Sequence, residues 1–263
     1  MINVAVTGAS GKMGKLILSN ILRFEDLKLS AAFDLVNIGM DVGEVAQLGT
    51  LNVPISDIKD LESVLKSTGT DVLIDFTIAG ATIVNAPRAA ACGVSLVIGT
   101  TGLSDEQKAA INDAILKNNV AGIISPNYSV GVNVFFQILK EAARYLEEMD
   151  VEIIEAHHNQ KKDAPSGTAL KAAAVISEAL GGREYVYGRE GMAPRGREIG
   201  IHAVRGGDIV GDHTVLFAGD GERIEIKHQA HSRQAFAGGA VKAALWIGNA
   251  KPGVYTMEDI LGL

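Results

Sequence analysis

Ile2-Asn3-Val4-Ala5-Val6-Thr7 runs into Gly8-Ala9-Ser10-Gly11-Lys12-Met13-Gly14, and this stretch decides the fold class. Ile2–Val6 is short, apolar and β-branched, the pattern of a buried strand. From Lys12 to Arg23 the apolar residues Met13, Leu16, Ile17 and Ile21 fall at helical spacing. Glycines stand at 8, 11 and 14 between strand and helix. A turn without side-chain bulk lets backbone N–H groups approach a pyrophosphate, and the helix N-terminus adds aligned donors and partial positive charge. The spacing is GxxGxxG rather than the commoner GxGxxG. Gly11-Lys12 also suggests a Walker loop, but Met13 stands where that loop needs Ser or Thr to hold magnesium. A tight turn with no ligand is the plain alternative, and the flanking strand and helix argue against it.

Leu27–Phe33 predicts a second strand ending at Asp34, 34 − 14 = 20 residues beyond Gly14. A carboxylate there can accept hydrogen bonds from adenosine ribose hydroxyls. Asp71–Phe76, Val94–Ile98 and Val120–Ser125 read as further buried strands, with the Ala-rich Ala81–Ala91 between the first two. Ser104–Lys117 reads as a helix opened by a capping box, with Ser104 as cap and Gln107 three residues on. Continuous apolar strands separated by helices imply α/β architecture, a parallel sheet covered on both faces. Two loops follow predicted strand ends, Gly99-Thr100-Thr101-Gly102 and Ser125-Pro126-Asn127-Tyr128. Ligands of open α/β sheets bind at that end, so both are placed to hold the nicotinamide half of a dinucleotide. Either is also compatible with plain turn chemistry.

The pattern changes near residue 127. Val132–Glu148 predicts a long helix and Val151–Ala156 a strand. An irregular polar stretch, His157–Ser166, precedes a helix from Gly167 to Leu180. Glu198–Val204, Ile209–Phe217 and Arg223–His228 read as strands of a second α+β domain, antiparallel or mixed. Gly206-Gly207-Asp208 and Gly219-Asp220-Gly221 between them read as hairpin turns. Gln234–Ile247 predicts a helix returning to the first domain. The chain shows no internal repeat.

Composition limits the function classes. Lys and Arg number 24 and Asp and Glu 31, a net charge of 24 − 31 = −7, which gives no broad attraction to nucleic acid or an anionic membrane. The single cysteine, Cys92, excludes a disulfide framework and a cysteine-based zinc site. No apolar run has the length of about 20 residues that spans a bilayer. The start of the chain has no basic, signal-like region, so a cytoplasmic location is expected.

The densest chemistry lies in Glu155-Ala156-His157-His158-Asn159-Gln160-Lys161-Lys162-Asp163-Ala164-Pro165-Ser166-Gly167-Thr168. Histidine suits proton transfer near neutral pH. Lysine can hold a carboxylate, and so can the N–H groups opening a helix. A small dianionic substrate would use all three. Adjacent loop histidines are often simply solvated, and this pair lacks the partners of a metal site. His202, His213, His228 and His231 receive no role from sequence.

These residues carry a resemblance almost end to end. The chain resembles the 4-hydroxy-tetrahydrodipicolinate reductase (dihydrodipicolinate reductase) family of lysine and diaminopimelate biosynthesis. Its carriers are the glycine loop, Asp75-Phe76-Thr77, Gly99-Thr100-Thr101-Gly102, Asn127-Tyr128-Ser129-Val130-Gly131-Val132-Asn133, and above all Glu155-Ala156-His157-His158 through Lys161-x-Asp163-Ala164-Pro165-Ser166-Gly167-Thr168-Ala169. The resemblance implies an NAD(P)H-dependent oxidoreductase with no metal, reducing 4-hydroxy-tetrahydrodipicolinate to tetrahydrodipicolinate. It implies a Rossmann-like dinucleotide-binding domain over 1–127, to which 235–263 return. Residues 128–234 would bind the dicarboxylate substrate and form a homotetramer. By motif match His157 is the proton donor and Lys161 the second catalytic residue, with His158, Gly167 and Thr168 on the substrate carboxylates. The cofactor would lie on Gly8, Ala9, Ser10, Gly11, Lys12, Met13, Asp34, Gly99, Thr100, Thr101, Ser125, Pro126, Asn127 and Tyr128. Some members carry an arginine after the ribose-binding acid, where it can hold the 2′-phosphate of NADPH. This chain has Leu35 there, so NADH is expected to be preferred, with NADPH possible. Two rivals are another amino-acid dehydrogenase of the same plan and a non-catalytic nicotinamide sensor. The His157–Thr168 segment argues against both.

Overall fold

A computed structural model describes residues 1–263. In chain order the elements are β1 (Ile2–Thr7), α1 (Lys12–Ile21), β2 (Leu27–Asp34), α2 (Val42–Ala46), β3 (Ile55–Asp57), α3 (Leu61–Ser67), β4 (Val72–Asp75), α4 (Ala79–Ala91), β5 (Ser95–Ile98), α5 (Asp105–Lys117), β6 (Ala121–Ile124), α6 (Val130–Tyr145), β7 (Asp150–His157), α7 (Gly167–Ala179), β8 (Tyr185–Tyr187), β9 (Ile199–Arg205), β10 (Gly211–Gly219), β11 (Glu222–Ala230), α8 (Gln234–Ile247), β12 (Gly253–Tyr255) and α9 (Met257–Leu261). They form two compact units, Met1–Ser129 with Gln234–Leu263, and Val130–Arg233.

The first unit is built on a seven-stranded parallel sheet in the order β12-β6-β5-β4-β1-β2-β3. Successive residues on its inner strands go to opposite faces, so the apolar runs serve two cores. Val4 and Val6 of β1, with Ile74 and Val97, pack into one core with α1 and α8. Ala5, Leu73, Leu96 and Ile98 pack into the other with α4 and α5. The strand order reverses at β1: β2 lies on one side and β4 on the other, which opens a crevice at their carboxyl ends. The short elements α2, β3, α3 and β12 have too few periodic residues to stand out in sequence.

Helix α5 shows how local sequence sets an end. The Ser104 hydroxyl accepts the Gln107 N–H at 3.2 Å, and the Gln107 side chain accepts the Ser104 N–H at 2.9 Å. Ser104→Ala should cost about 1 kcal/mol of stability, read as a lower urea midpoint at constant slope. An unmoved midpoint would show that Gln107 and the acidic first turn suffice.

The second unit has a five-stranded mixed sheet, β11-β10-β7-β9-β8. Only the turn Gly219-Asp220-Gly221 makes a hairpin, joining β10 to β11. The hairpin expected at Gly206-Gly207-Asp208 does not form. β9 and β10 flank β7 on opposite sides, β9 parallel to it and β10 antiparallel. Glycine turns report a chain reversal, not which strand lies next door, and β7 takes the central place. Along β7, Val151, Ile153, Glu155 and His157 alternate onto one buried face. Val151 and Ile153 pack there with residues of α6 and α7.

Candidate active site

The alternation of β7 puts two polar side chains, Glu155 and His157, at the end of an otherwise apolar face. His213 of β10 shares this face by the same period, and Glu155 is its register partner. Arg205, the last residue of β9, is the register partner of His157. The start of α7 contributes Ser166. Five polar groups thus meet where the strands run out.

Glu155 organises them and has no solvent exposure. Its Oε2 accepts from His157 Nδ1 at 2.6 Å and from Arg205 Nη1 at 2.8 Å. Its Oε1 accepts the Ser166 N–H at 2.9 Å and Arg205 Nη2 at 2.8 Å. Burial opposes ionisation of Glu155, yet Arg205, His157 and the Ser166 N–H outweigh it and hold the carboxyl below its usual range. An ionised carboxylate only accepts, so His157 carries its proton on Nδ1. Its Nε2 lies over Gly211, where a Cβ would come within 3.0 Å. The lack of a side chain at Gly211 leaves that nitrogen unblocked.

His213 sits edge-on to His157, ring centroids 5.2 Å apart, and its Nε2 is 3.0 Å from Ser166 Oγ. Burial, reinforced by the nearby His157, pushes its pKa down to about 4, so it is neutral near pH 7. The same Ser166 hydroxyl accepts the Ala169 N–H and caps α7. Gly167, at the first position of that helix, has open space around the site of a Cβ. Thr168 follows on the first turn.

The loop carrying Lys161 joins the same network. Lys161 Nζ donates to Asp163 Oδ1 at 2.9 Å, and Arg205 Nη2 donates to the Asp163 carbonyl at 2.7 Å. His157, Lys161, Gly167 and Thr168 are therefore gathered around one strand end and one helix start. His158 is partly exposed beside them, outside the Glu155 network. Sequence reading missed Glu155, Arg205 and His213. The signal was present in the period: an acid two residues before a histidine, on a strand whose other inward residues are Val151 and Ile153.

In the first unit the glycine loop fits a dinucleotide. Gly8 has φ +72°, and a Cβ on Gly14 would lie 2.2 Å from the Gly8 carbonyl oxygen and 2.7 Å from Ala9 Cα. The loop therefore folds tightly onto α1 only with these glycines. Gly11 caps α1 without a side-chain hydrogen bond, and Ser10 and Lys12 flank it. Ala9 is buried and Met13 packs on the core, so these two contribute backbone and packing. Asp34 Oδ2 accepts the Ser10 N–H at 2.9 Å, tying the second strand's acid to the loop. A cavity of about 270 Å³ beside it is lined by Gly8, Phe33, Asp34, Leu35, Ile58, Thr77, Ile78, Ala81 and Asn85. Its mostly apolar wall with one acid suits an adenosine half.

The other two loops have structural partners of their own. A Cβ on Gly99 would strike the Phe76 ring at 2.1 Å. Thr100 is buried, its hydroxyl accepting from the Thr82 hydroxyl at 2.8 Å and donating to Asp75 Oδ1 at 3.3 Å, while Thr101 is exposed. Asp75 is buried and its pKa is raised by desolvation. Ser125 Oγ bonds the Asn127 backbone, and Pro126 is exposed. The Tyr128 side chain is buried, its hydroxyl donating to the Ile98 carbonyl at 2.9 Å. Any contact of Tyr128 with a cofactor falls to its backbone. No helix is long and apolar enough to cross a membrane, and no group of three or more His, Cys, Asp or Glu could hold a metal.

Comparison with known proteins agrees with this arrangement. Residues 2–128 match the family described as dihydrodipicolinate reductase, N-terminus, and residues 131–261 match dihydrodipicolinate reductase, C-terminus. The chain is 72% identical to the 4-hydroxy-tetrahydrodipicolinate reductase of Methanococcoides burtonii and 70% identical to that of Methanosarcina mazei, each over 100% of both chains. The dipicolinate-bound dihydrodipicolinate reductase of Paenisporosarcina sp. TG-14 is similar in structure, with TM-score 0.81, 31% identity and 99% of each chain covered. A sheet with the strand reversal of a dinucleotide-binding fold, a second mixed sheet whose central strand ends in His157 with Lys161 on the loop beyond, and full-length identity at this level have one reading: the chain belongs to the dihydrodipicolinate reductase family.

Proposed function

We propose that the chain reduces 4-hydroxy-tetrahydrodipicolinate to tetrahydrodipicolinate with a nicotinamide dinucleotide, NADH in preference to NADPH. The observation that carries the reading is the His157 imidazole, anchored at Nδ1 and open at Nε2, beside Lys161 and the start of α7. That set suits a ring bearing two carboxylates: cationic and N–H donors for the carboxylates, an acid for the ring.

The dinucleotide, when bound, supplies the hydride. The ring hydroxyl leaves as water together with one ring proton, and one hydride and one proton then enter the ring, so the reaction balances. In its imidazolium form His157 donates the Nε2 proton to the ring carbon next to the one reduced and is left as the Nδ1–H imidazole held by Glu155. Lys161, His158 and the Gly167 and Thr168 N–H groups hold the carboxylates and neutralise their charge. Gly8–Met13 and Asp34 hold the pyrophosphate and ribose. Gly99–Thr101 and Ser125–Tyr128 contribute to the nicotinamide side. The test couples aspartate semialdehyde, pyruvate and the preceding synthase to the enzyme and follows NADH oxidation. No oxidation above the rate without enzyme would overturn the assignment.

Lys161 gives a narrower check. Its ammonium is held in place by Asp163, with its side chain 20% exposed. Lys161→Ala should weaken pyridine-2,6-dicarboxylate by roughly tenfold or more and lower kcat/KM at least as much, since a hydrogen bond to a charged group contributes about 1.5–3 kcal/mol. Equal affinity of both proteins by calorimetry would make Lys161 a surface charge.

We further infer a homotetramer assembled through the second unit. The side of its sheet away from α6 and α7 exposes Ile154 and Val204, each more than 40% accessible. Apolar residues grouped on one sheet face favour burial by another copy.

A further inference from the structure

We propose that Glu155 is a positioning residue of the reaction: its buried carboxylate holds the His157 imidazole in the Nδ1–H tautomer and, through the Ser166 N–H, fixes the start of α7 on the same group. The inference rests on His157 being the proton donor and extends that reading to a residue that touches no substrate.

The geometry gives each carboxylate oxygen two donors. Oε2 takes His157 and one arm of Arg205, and Oε1 takes Ser166 and the other arm. Arg205 is itself fixed by donation to the Asp163 and Val204 carbonyls. Glu155 therefore cannot turn without breaking several bonds at once. One face of the group sets the proton donor, and the other sets the helix start proposed to hold a substrate carboxylate. The substrate bridges these two points, so their separation decides whether the ring carbon meets Nε2. A misplacement of about 1 Å can cost about 10²-fold in rate. The tautomer matters equally. With Nδ1–H retained, Nε2 is the nitrogen that gives up and regains the proton.

Glu155→Gln separates this role from bulk stability. The amide keeps the shape but replaces one acceptor oxygen with a donor NH2. The Ser166 N–H cannot become an acceptor, whereas imidazole can, by moving its proton. The amide should therefore turn its oxygen to Ser166 and its NH2 to His157, which forces the Nε2–H tautomer. Three readings are expected. The kcat falls by about 10²-fold or more, as for a general acid held in the wrong tautomer. Affinity for pyridine-2,6-dicarboxylate stays within about threefold, because Ser166 keeps a neutral acceptor. The nitrogen shifts of 15N-histidine-labelled protein show the His157 proton moved from Nδ1 to Nε2. A purely structural loss would lower turnover and dicarboxylate binding together without inverting the tautomer.

Arg205 loses its counter-charge in this variant, so the variant can be unstable. The wild-type spectrum then decides alone, with the His157 signal identified by its loss in His157→Gln. A neutral imidazole protonated at Nδ1 supports the proposal, and one protonated at Nε2 overturns it. Wild-type kcat in Glu155→Gln also overturns it. If His157→Gln itself keeps full turnover, the proton-donor reading fails instead, and the two failures are distinct.

Discussion

His157→Gln is expected to lower kcat by about 10²–10⁴-fold while the dissociation constant for NADH stays within about twofold, the span attributed to a positioned general acid. Glutamine is close to histidine in reach and can still hydrogen-bond to Glu155. It cannot donate a proton and take it back near neutral pH. The loss should therefore fall on turnover rather than on folding. His157 ends β7 in the second unit, whereas the glycine loop and Asp34 belong to the first. Cofactor affinity, measured by NADH fluorescence titration, is the internal control. Turnover within about threefold of wild type would remove His157 from proton transfer, being far below the range such groups contribute. A matching loss of NADH affinity would point to general disruption of the fold.

The parallel sheet was legible because a buried parallel strand announces itself as a short apolar run, and β1, β4 and β5 are nearly wholly buried. The capping box of α5 was legible because both partners lie within one turn. Strand adjacency was not: nothing local in Gly206-Gly207-Asp208 says that β7 lies between the strands it joins. The site was legible where its residues are contiguous, from His157 to Thr168. Arg205 and His213 reach it from 50 and 47 residues beyond Glu155 and Ser166, through sheet register that the sequence does not display. Glu155 was within the quoted motif, yet its burial depends on the face β7 turns to α6 and α7. Period-two alternation marks that face only once the strand's core side is known.

We expect cofactor choice to turn on residues at the rim of the cavity beside Asp34. The Asp34 carboxylate faces this cavity and already accepts the Ser10 and Leu35 N–H groups. A ribose hydroxyl can donate to its remaining lone pairs. A 2′-phosphate cannot, and two negative groups in contact cost free energy. Leu35 follows directly, 76% exposed, and supplies no compensating charge. Val36, Asn37 and Ile38 supply none either. Lys12 of the glycine loop is close in sequence to the phosphate-binding turn, and the fold brings Lys59 and Arg88 to the same region through Ile58. Arg88 is committed to Glu62 and to the Ile58 and Lys59 carbonyls, whereas Lys59 makes only an exposed 3.6 Å pair with Asp57. Arg88 holds the Glu62 carboxyl down at about pKa 2, so that pair persists at neutral pH. We therefore expect a preference for NADH of moderate size. Leu35→Arg should move the ratio of kcat/KM for NADPH over NADH upward by roughly 10–100-fold, since a charge-assisted contact to phosphate contributes about 1.5–3 kcal/mol. The gain should shrink as salt rises, because the new contact is exposed. Leu35 also lines the cavity, so NADH binding should weaken slightly in the variant, and the NADPH gain must exceed that loss. The measurement is kcat/KM for each dinucleotide at fixed ionic strength in both proteins. A wild type that clearly favours NADPH would show that Lys12 or Lys59 reaches the 2′-phosphate, and Leu35→Arg would then add little.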